Sequence, residues 1–294
     1  MPKIDLSISL VSHNSRVLLE NCLKSIYENT KDVTFEIFLV DNASSDDTIQ
    51  MVKKKFPNVK LTINSENALY TKAHNQNLKK ISGRYFLVLN EDTEIHPKTL
   101  EDIISFMDTH PTVGLVSCRQ VNEKRITDMT CSRFPHPFIE LFESSYVFKL
   151  FLRIVPILKV KKMLSDYRYS GWKRNTIREV DVIPGSFFLG RKILLEEVGF
   201  FDENLLLFYE EPDYCQRAKA NGFLTYHLGN VSITHLKSKT IAKLPVFERY
   251  KISEHDILTY YKKYFGIFWW LFLWLAFRPN WLYWKLVTFK NNEV

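Results

Sequence analysis

Through the first 120 residues of this 294-residue chain, short apolar runs alternate with segments of helical period, and no other feature limits the possible folds so tightly. Ile4–Val11 (IDLSISLV) reads as a strand, and Asn14 or Ser15 stands where the next helix needs a cap. That helix sets Leu18, Leu19, Cys22, Leu23 and Ile26 on one face. Phe35–Val40 reads as a second strand, a helix begins at Thr48, and a third strand lies near Val59–Ile63. Lys72–Lys80 reads as helix, Arg84–Leu89 as a buried strand, Leu100–His110 as helix and Val113–Ser117 as strand. Such alternation with short links predicts an α/β fold on a mostly parallel sheet. Ligands of these sheets lie beyond the carboxyl ends of the strands. Polar clusters stand there three times, as Ser12-His13-Asn14, Asp41-Asn42 and Asn90-Glu91-Asp92. One such cluster is an ordinary solvated turn; three at corresponding ends predict a shared crevice.

Several activities lose support at once. No GxGxxG follows the first strand, and there is no GKS/GKT, GxSxG or HExxH, which argues against dehydrogenase, ATPase, serine-hydrolase and zincin chemistry. The stretch LVSHNSRVL lacks the Gly-rich loop expected of a nucleotidyltransferase. Cys22, Cys118, Cys131 and Cys215 are far apart with no CxxC pair, so neither a disulfide scaffold nor a thiolate zinc site is expected, and a reducing cytosol fits. The opening residues show no apolar leader core, and no window holds the roughly 18 uninterrupted apolar residues of a spanning helix.

The net charge of +7 is unevenly spread. Between Lys149 and Arg178 nine Lys or Arg face one acid, and between Lys237 and Lys290 ten face three. The rest is acidic, so two basic segments ride on an acidic body and predict an anionic ligand or surface on one side.

Three constellations carry candidate chemistry. Asn90-Glu91-Asp92-Thr93-Glu94 offers hard oxygen donors for Mg²⁺ or Mn²⁺ beside phosphate, with a capped acidic turn as the alternative. In Tyr209-Glu210-Glu211-Pro212-Asp213, the proline suits the first turn of a helix. Glu211 then faces the crevice as a general base while Asp213 pairs with Arg217; an acidic turn that merely caps the helix is the alternative. His235 closes the strand-like VSITH, with Lys237, Ser238 and Lys239 beyond it, and suits metal or diphosphate contact.

These segments, in this order, resemble family 2 glycosyltransferases of the GT-A fold, especially the bacterial rhamnosyltransferase-like group that builds cell-surface polysaccharides. The resemblance rests on SLVSHNS, FLVDNASSDDT, NALYTKAHNQNLKKISGRYFLVLNEDTEI, IPGSFFLGRKILLEEVGFFDE, FYEEPDYCQRAKANG and ITH, over about residues 4–120 and 180–236. It implies a Rossmann-like mixed sheet flanked by helices, and a nucleotide-diphospho-sugar donor, dTDP-rhamnose first and UDP-sugars next. It also implies Mn²⁺ or Mg²⁺, and inverting transfer to a hydroxyl of a growing, lipid-linked bacterial surface glycan. By the same resemblance Ser12 and Asn14 meet the nucleotide, Asp41 with Asn42 recognises base or ribose, and Lys72 and Asn75 contact base or diphosphate. Asp92 matches the last acid of the metal-binding DxD-type motif, with Asn90 in place of its first Asp. His235 matches the family's metal or diphosphate histidine, and Glu211 its catalytic base. Gly185 and Ser186, with Glu210 and Asp213, belong to the acceptor side. Leu69 stands where a Gly is usual. The competing expectation is a non-catalytic sugar-nucleotide-binding or scaffold subunit of a polysaccharide assembly complex; nucleic acid is not expected, for want of any recognised motif.

The expected organisation is a catalytic domain over 1–240, with a donor half over 1–120, an acceptor half over 121–240 and a basic irregular insertion over 133–179. A helical segment over 241–294 follows. In it Phe265–Phe277 is too short to span a bilayer, while Trp269, Trp270, Trp274, Trp281 and Trp284 suit a membrane–water interface. Lys262, Lys263, Arg278 and Lys285 suit anionic lipid. Two expectations stand side by side: an interfacial hairpin at the inner face of the cell membrane, or a helix pair packed on the body or in a homodimer.

Overall fold

The computed structural model describes residues 4–154, 158–236 and 245–291; Lys237, Ser238 and Lys239 lie outside them. The first part follows the predicted alternation: β1 (Leu6–Ser12), α1 (Arg16–Asn29), β2 (Phe35–Asp41), α2 (Thr48–Lys55), β3 (Lys60–Ile63), α3 (Leu69–Leu78) and β4 (Tyr85–Asn90). β1 pairs in parallel with β2 and β4, and β2 with β3, register by register. β1, β2 and β4 are buried along most of their length, while β3 at the sheet edge stays half exposed. Leu19, Cys22, Leu23 and Ile26 of α1 are fully buried against them. Ser15 occupies the cap position of α1, but its hydroxyl donates back to the His13 carbonyl at 3.0 Å instead of capping the helix.

β5 (Thr93–Ile95), α4 (Thr99–Thr109) and β6 (Val113–Val121) come next, and the stretch expected to be irregular then forms α5 (Pro137–Ser144), α6 (Tyr146–Ile154) and α7 (Leu158–Tyr167). Pro137 starts α5 at the position where a missing N–H costs nothing. Behind these helices the fully buried Arg174 spends its guanidinium on the backbone carbonyls of Thr130, Arg168, Tyr169 and Trp172, a tie that sequence spacing does not reveal. The chain returns through β7 (Arg178–Glu179), β8 (Phe187–Arg191), α8 (Ile193–Glu197), α9 (Glu210–Ala220) and β9 (Leu224–His235), and ends in α10 (Val246–Phe265) and α11 (Ile267–Asn291).

The sheet runs β3-β2-β1-β4-β8-β6-β9-β5, with β7 beside β9. Only the β3-β2-β1-β4 half is wholly parallel. β8 runs antiparallel to both β4 and β6, so the mostly parallel sheet read from the alternation alone gives way to the mixed sheet that the family resemblance implies. One apolar cluster lies under α1, α2 and α4, and a second lies under α3, α8 and α9 on the opposite side. A third joins Leu141 of α5 and Leu205 to Ile257, Tyr260, Tyr261, Leu273 and Phe277 of the last two helices. The tail is therefore packed on the body along α10 and along one side of α11.

Candidate active site

A cavity of about 620 Å³ opens beyond the carboxyl ends of β1, β2 and β4. Its wall contains His13, Asn42, Asn90, Glu91, Asp92, Gly185, Ser186, Glu210, Glu211 and His235, so residues from every predicted cluster meet there.

The short strand β5 makes the first meeting. It pairs antiparallel with the end of β9, Thr93 opposite His235, which sets Asp92 beside the histidine. Asp92 Oδ1 and His235 Nε2 face each other at 3.2 Å, both nearly buried, and neither atom has another hydrogen-bond partner. His235 Nδ1 lies 3.0 Å from the Oε1 of Gln120, an acceptor, so it is Nδ1 that carries a proton. Gln120 is itself fully buried and exchanges hydrogen bonds with Ser186 at 2.8 and 2.9 Å. This second contact on the imidazole fixes its tautomer and leaves Nε2 free to bind a cation. A carboxylate oxygen and an imidazole nitrogen are natural donors to Mn²⁺, and a cation between them removes the clash of two lone pairs, so these residues fit such an ion. No cluster of three or more His, Cys, Asp or Glu occurs among the described residues. The remaining ligands of an ion here would come from diphosphate and water.

Glu211 makes the second meeting. Its Oε1 accepts the Gly185 N–H at 2.8 Å, while the Tyr70 hydroxyl donates to the Gly185 carbonyl at 2.9 Å. A Cβ on Gly185 would stand 2.7 Å from Glu211 Oε1 and 2.8 Å from the Tyr70 oxygen, so only glycine admits both groups so closely. Burial pushes the Glu211 carboxyl above its usual range, and the Gly185 hydrogen bond works against that rise. Glu210 is pushed well above the carboxylate range, first by burial and then by the charge of Glu211, and its Oε2 has no hydrogen-bond partner.

On the nucleotide side the predicted residues divide between the wall and the layer behind it. Asn42 lies on the wall, but its amide is already used: Oδ1 accepts from Asn64 and Ala68, and Nδ2 donates to the Leu69 carbonyl. These bonds fasten the 64–69 loop to the end of β2. Asn14, at φ 52°, ties that end of β1 to Ser45 through its Oδ1. Ser12 and Asp41 are buried behind the wall, and Ser12 Oγ and Asp41 Oδ2 keep no hydrogen-bond partner. Lys72 is exposed and outside the wall. Asn75 is buried and bonded to Phe201 and Glu203. The helical period explains both: Tyr70 and His74 of α3 face the cavity, so positions 72 and 75 point elsewhere. His74 is locked to Ser9 at 2.8 Å, and burial drives its imidazole down to about 3, which keeps it neutral. Asp213 is also off the wall. It pairs with Arg217 at 2.8 Å, as its spacing predicts, and with Lys263 and Tyr264 of α10.

Gln120 and Tyr70 were not singled out from sequence. Gln120 was legible only as a polar residue closing an apolar strand, and Tyr70 as one aromatic in a helix.

A parallel, nucleotide-binding type of half-sheet joined to a mixed half, with an acid–histidine pair where they meet, defines a GT-A fold. The chain belongs to glycosyl transferase family 2, whose sequence profile matches residues 7–199. Among its relatives, the low-salt glycan biosynthesis hexosyltransferase Agl10 of Haloferax volcanii is 24% identical over 73% of this chain and 62% of its own length. The N-acetylglucosaminyl-diphospho-decaprenol L-rhamnosyltransferase of Mycobacterium tuberculosis is 22% identical over 87% of this chain and 82% of its own. Of solved structures, the Pyrobaculum calidifontis mannosyltransferase PcManGT, in complex with GDP-Man and Mn²⁺, superposes with a TM-score of 0.57 at 18% identity, covering 89% of this chain and 64% of its own. Staphylococcus aureus TarS residues 1–349 with UDP-GlcNAc gives 0.51 at 19% identity, covering 87% and 67%. This chain thus spans less than two thirds of both Agl10 and PcManGT, and the likeness to the solved structures establishes the fold.

Proposed function

We propose that this protein is an inverting, metal-dependent glycosyltransferase. It moves a sugar from a nucleotide-diphospho-sugar, dTDP-rhamnose or a UDP-sugar, to a hydroxyl of a lipid-linked bacterial surface glycan at the inner face of the cell membrane. The observation that carries this reading is a half-buried carboxylate, Glu211, held by the Gly185 N–H at 2.8 Å in the same cavity as the Asp92–His235 pair. The donors and acceptor are drawn from the proteins it resembles: a rhamnosyltransferase acting on a diphospho-decaprenol lipid, and structures holding UDP-GlcNAc or GDP-Man with Mn²⁺.

Asp92 and His235 would hold the cation, which when bound neutralises the charge that builds on the departing diphosphate. Gln120 keeps the His235 proton on Nδ1, away from that charge. Glu211 takes the proton of the acceptor hydroxyl as its oxygen attacks the anomeric carbon from the face opposite the leaving group. Displacement from the back inverts that carbon, and no protein nucleophile is needed. Gly185 and Tyr70 hold the base in place throughout.

The test uses the purified full chain, a panel of nucleotide-diphospho-sugars with and without Mn²⁺, and the variants Asp92→Ala and Glu211→Gln. A matching donor with Mn²⁺ should raise the unfolding temperature, and donor turnover should follow. Glu211→Gln should lower kcat by about 10²–10⁴ while leaving donor binding in place. Asp92→Ala should abolish the Mn²⁺ dependence of that binding. A wild-type chain that binds donor but never turns it over, with Glu211→Gln indistinguishable from it, would replace this reading by the scaffold one.

A further inference from the structure

We propose that the outer faces of α6 and α11, together with the basic helix α7, form one docking surface for an anionic lipid bilayer, and that this surface sets the cavity at the membrane. The inference deepens the lipid-linked-acceptor reading above and rests on it for its purpose.

The first observation is a stripe. Phe268, Leu271, Leu275, Leu282 and Leu286 of α11 recur every three to seven residues, all on helical spacing, and each is about half exposed or more, Phe268 reaching 85%. A helix on a water-facing surface puts its charges on that side; the one charge of α11 in line with this stripe, Arg278, is turned to Glu254 of α10. Its opposite side is spent, because Leu273 and Phe277 are buried in the core shared with α10. α6 repeats the pattern with Val147, Leu150 and Phe151 exposed at the same spacing.

The two helices are fastened together. The buried Asn280 accepts the Tyr146 N–H at 2.8 Å and donates to the Ser144 carbonyl at 2.7 Å, and Tyr146 packs edge-on against Tyr283. Exposed apolar residues thus stand on two helices that are fastened to each other.

Charge names the occupant. Of the nine basic residues from Lys149 to Arg178, Lys159, Lys161 and Lys162 of α7 are all exposed, whereas Arg174 is buried and Arg168 is paired with Glu143. Lys285 lies over the Trp281 ring at 4.7 Å beside the stripe, an aromatic–cation edge suited to a headgroup layer. An apolar stripe rimmed by lysine and tryptophan fits an anionic bilayer surface, with the helix lying along it. Crossing is excluded for the described helices, since none is long and apolar enough.

The carboxyl end of α7 reaches the cavity. α7 runs from the exposed Leu158 to Tyr167, and Tyr167, Arg168 and Glu143 all line the cavity wall. Ten helical residues span about 15 Å, so Lys159, Lys161 and Lys162 all stand within about that distance of the cavity wall at Tyr167.

The experiment is vesicle co-sedimentation of the full chain, which needs no donor or acceptor. Phosphatidylglycerol–phosphatidylcholine vesicles are compared with pure phosphatidylcholine vesicles, at low and high salt. The wild type should partition onto the anionic vesicles, and high salt should weaken this. Leu275→Glu/Leu282→Glu should reduce partition at least tenfold. Lys159→Gln/Lys161→Gln/Lys162→Gln should reduce it about fivefold per lysine. Both variants should keep the wild-type unfolding temperature and nucleotide-diphosphate binding, so the lysine variant still reads the surface if the α11 variant misfolds. A wild type that ignores anionic vesicles overturns the proposal, as do variants that bind them unchanged. So does a wild-type dimer that Leu275→Glu/Leu282→Glu turns to monomer without loss of vesicle binding, which would make the face an interface between copies. If transfer fails while vesicle binding behaves as stated, the enzymatic reading fails and the surface stands.

Discussion

Glu210 and Glu211 are neighbours in sequence and share one buried wall, so the order in which they lose protons decides what the site can do. Glu211 has the Gly185 N–H to stabilise its anion, whereas Glu210 Oε2 has no hydrogen bond. Glu211 therefore ionises first, and its charge then holds the proton on Glu210. A base must be ionised to act, so activity should rise with pH along an acid limb displaced above the ordinary glutamate value of about 4.3. Because Glu210 is still neutral on that limb, Glu210→Gln should leave its midpoint in place in a kcat/KM–pH profile. A fall of about one unit would mean that Glu210 ionises first. Leu69 offers a second test at this scale. The family resemblance expects Gly there, and the backbone supplies the reason: Leu69 sits at φ 59°, the left-handed region where a side chain crowds the following carbonyl. Leucine tolerates this with help from an Asn67 side chain accepting its N–H at 2.9 Å. A β-branched residue tolerates it far less. Leu69→Ile should cost on the order of 1–2 kcal/mol in thermal or denaturant unfolding, while Leu69→Gly should stay within about 1 kcal/mol of wild type.

Among the elements, those legible in the sequence are those whose pattern is local. Strands β1, β2 and β4 are buried along most of their length and show as short segments rich in Leu, Ile, Val and Phe, and α1 shows its buried side at helical period. β5 was not legible. It has three residues, lies inside an acidic run, and is a strand only because β9 pairs with it. Yet β5 is what brings Asp92 to His235. Each of those residues was readable alone from its strand-end position and the family pattern, but their 3.2 Å approach is a product of tertiary pairing. The helices α5 to α7 were hidden for a similar reason. α5 is capped by a histidine in place of the usual Ser, Thr, Asp or Asn, and Asn280, far along the chain, holds the junction of α5 and α6. Lys72 and Asn75 show the converse limit. Both are residue types that suit a phosphate or a base, but rotation along α3 assigns the cavity to Tyr70 and His74 instead.

At the scale of the whole molecule, the division at residue 240 suggested by composition runs across the contacts that hold the candidate base in place. Asp256 of α10 is fully buried, and its carboxylate accepts the N–H groups of Leu206, Leu207 and Phe208 at 3.0, 2.9 and 2.9 Å. Those residues lead directly into Tyr209, Glu210 and Glu211. Lys263 joins Asp202 to Asp213 at 2.7 Å each, and the Tyr264 hydroxyl reaches Asp213 at 2.8 Å, so α10 also secures the first turn of α9. Removing the tail leaves three N–H groups without their acceptor, strips Asp213 of two of its partners and uncovers Leu141 and Leu205. Hydrogen bonds to a charged group are worth about 1.5–3 kcal/mol each. Losing three approaches the roughly 5–15 kcal/mol that separates a folded chain from an unfolded one. A chain ending at 240 should therefore show no cooperative thermal unfolding and no Mn²⁺-dependent nucleotide-diphosphate binding, read by circular dichroism and thermal shift. Full-length Asp256→Ala should remain folded but unfold at a lower temperature, because it removes the acceptor and keeps the apolar packing. If the 1–240 chain instead unfolds cooperatively within a few degrees of the full chain, the tail is an appendage, and the base-bearing loop draws its order from the catalytic half alone.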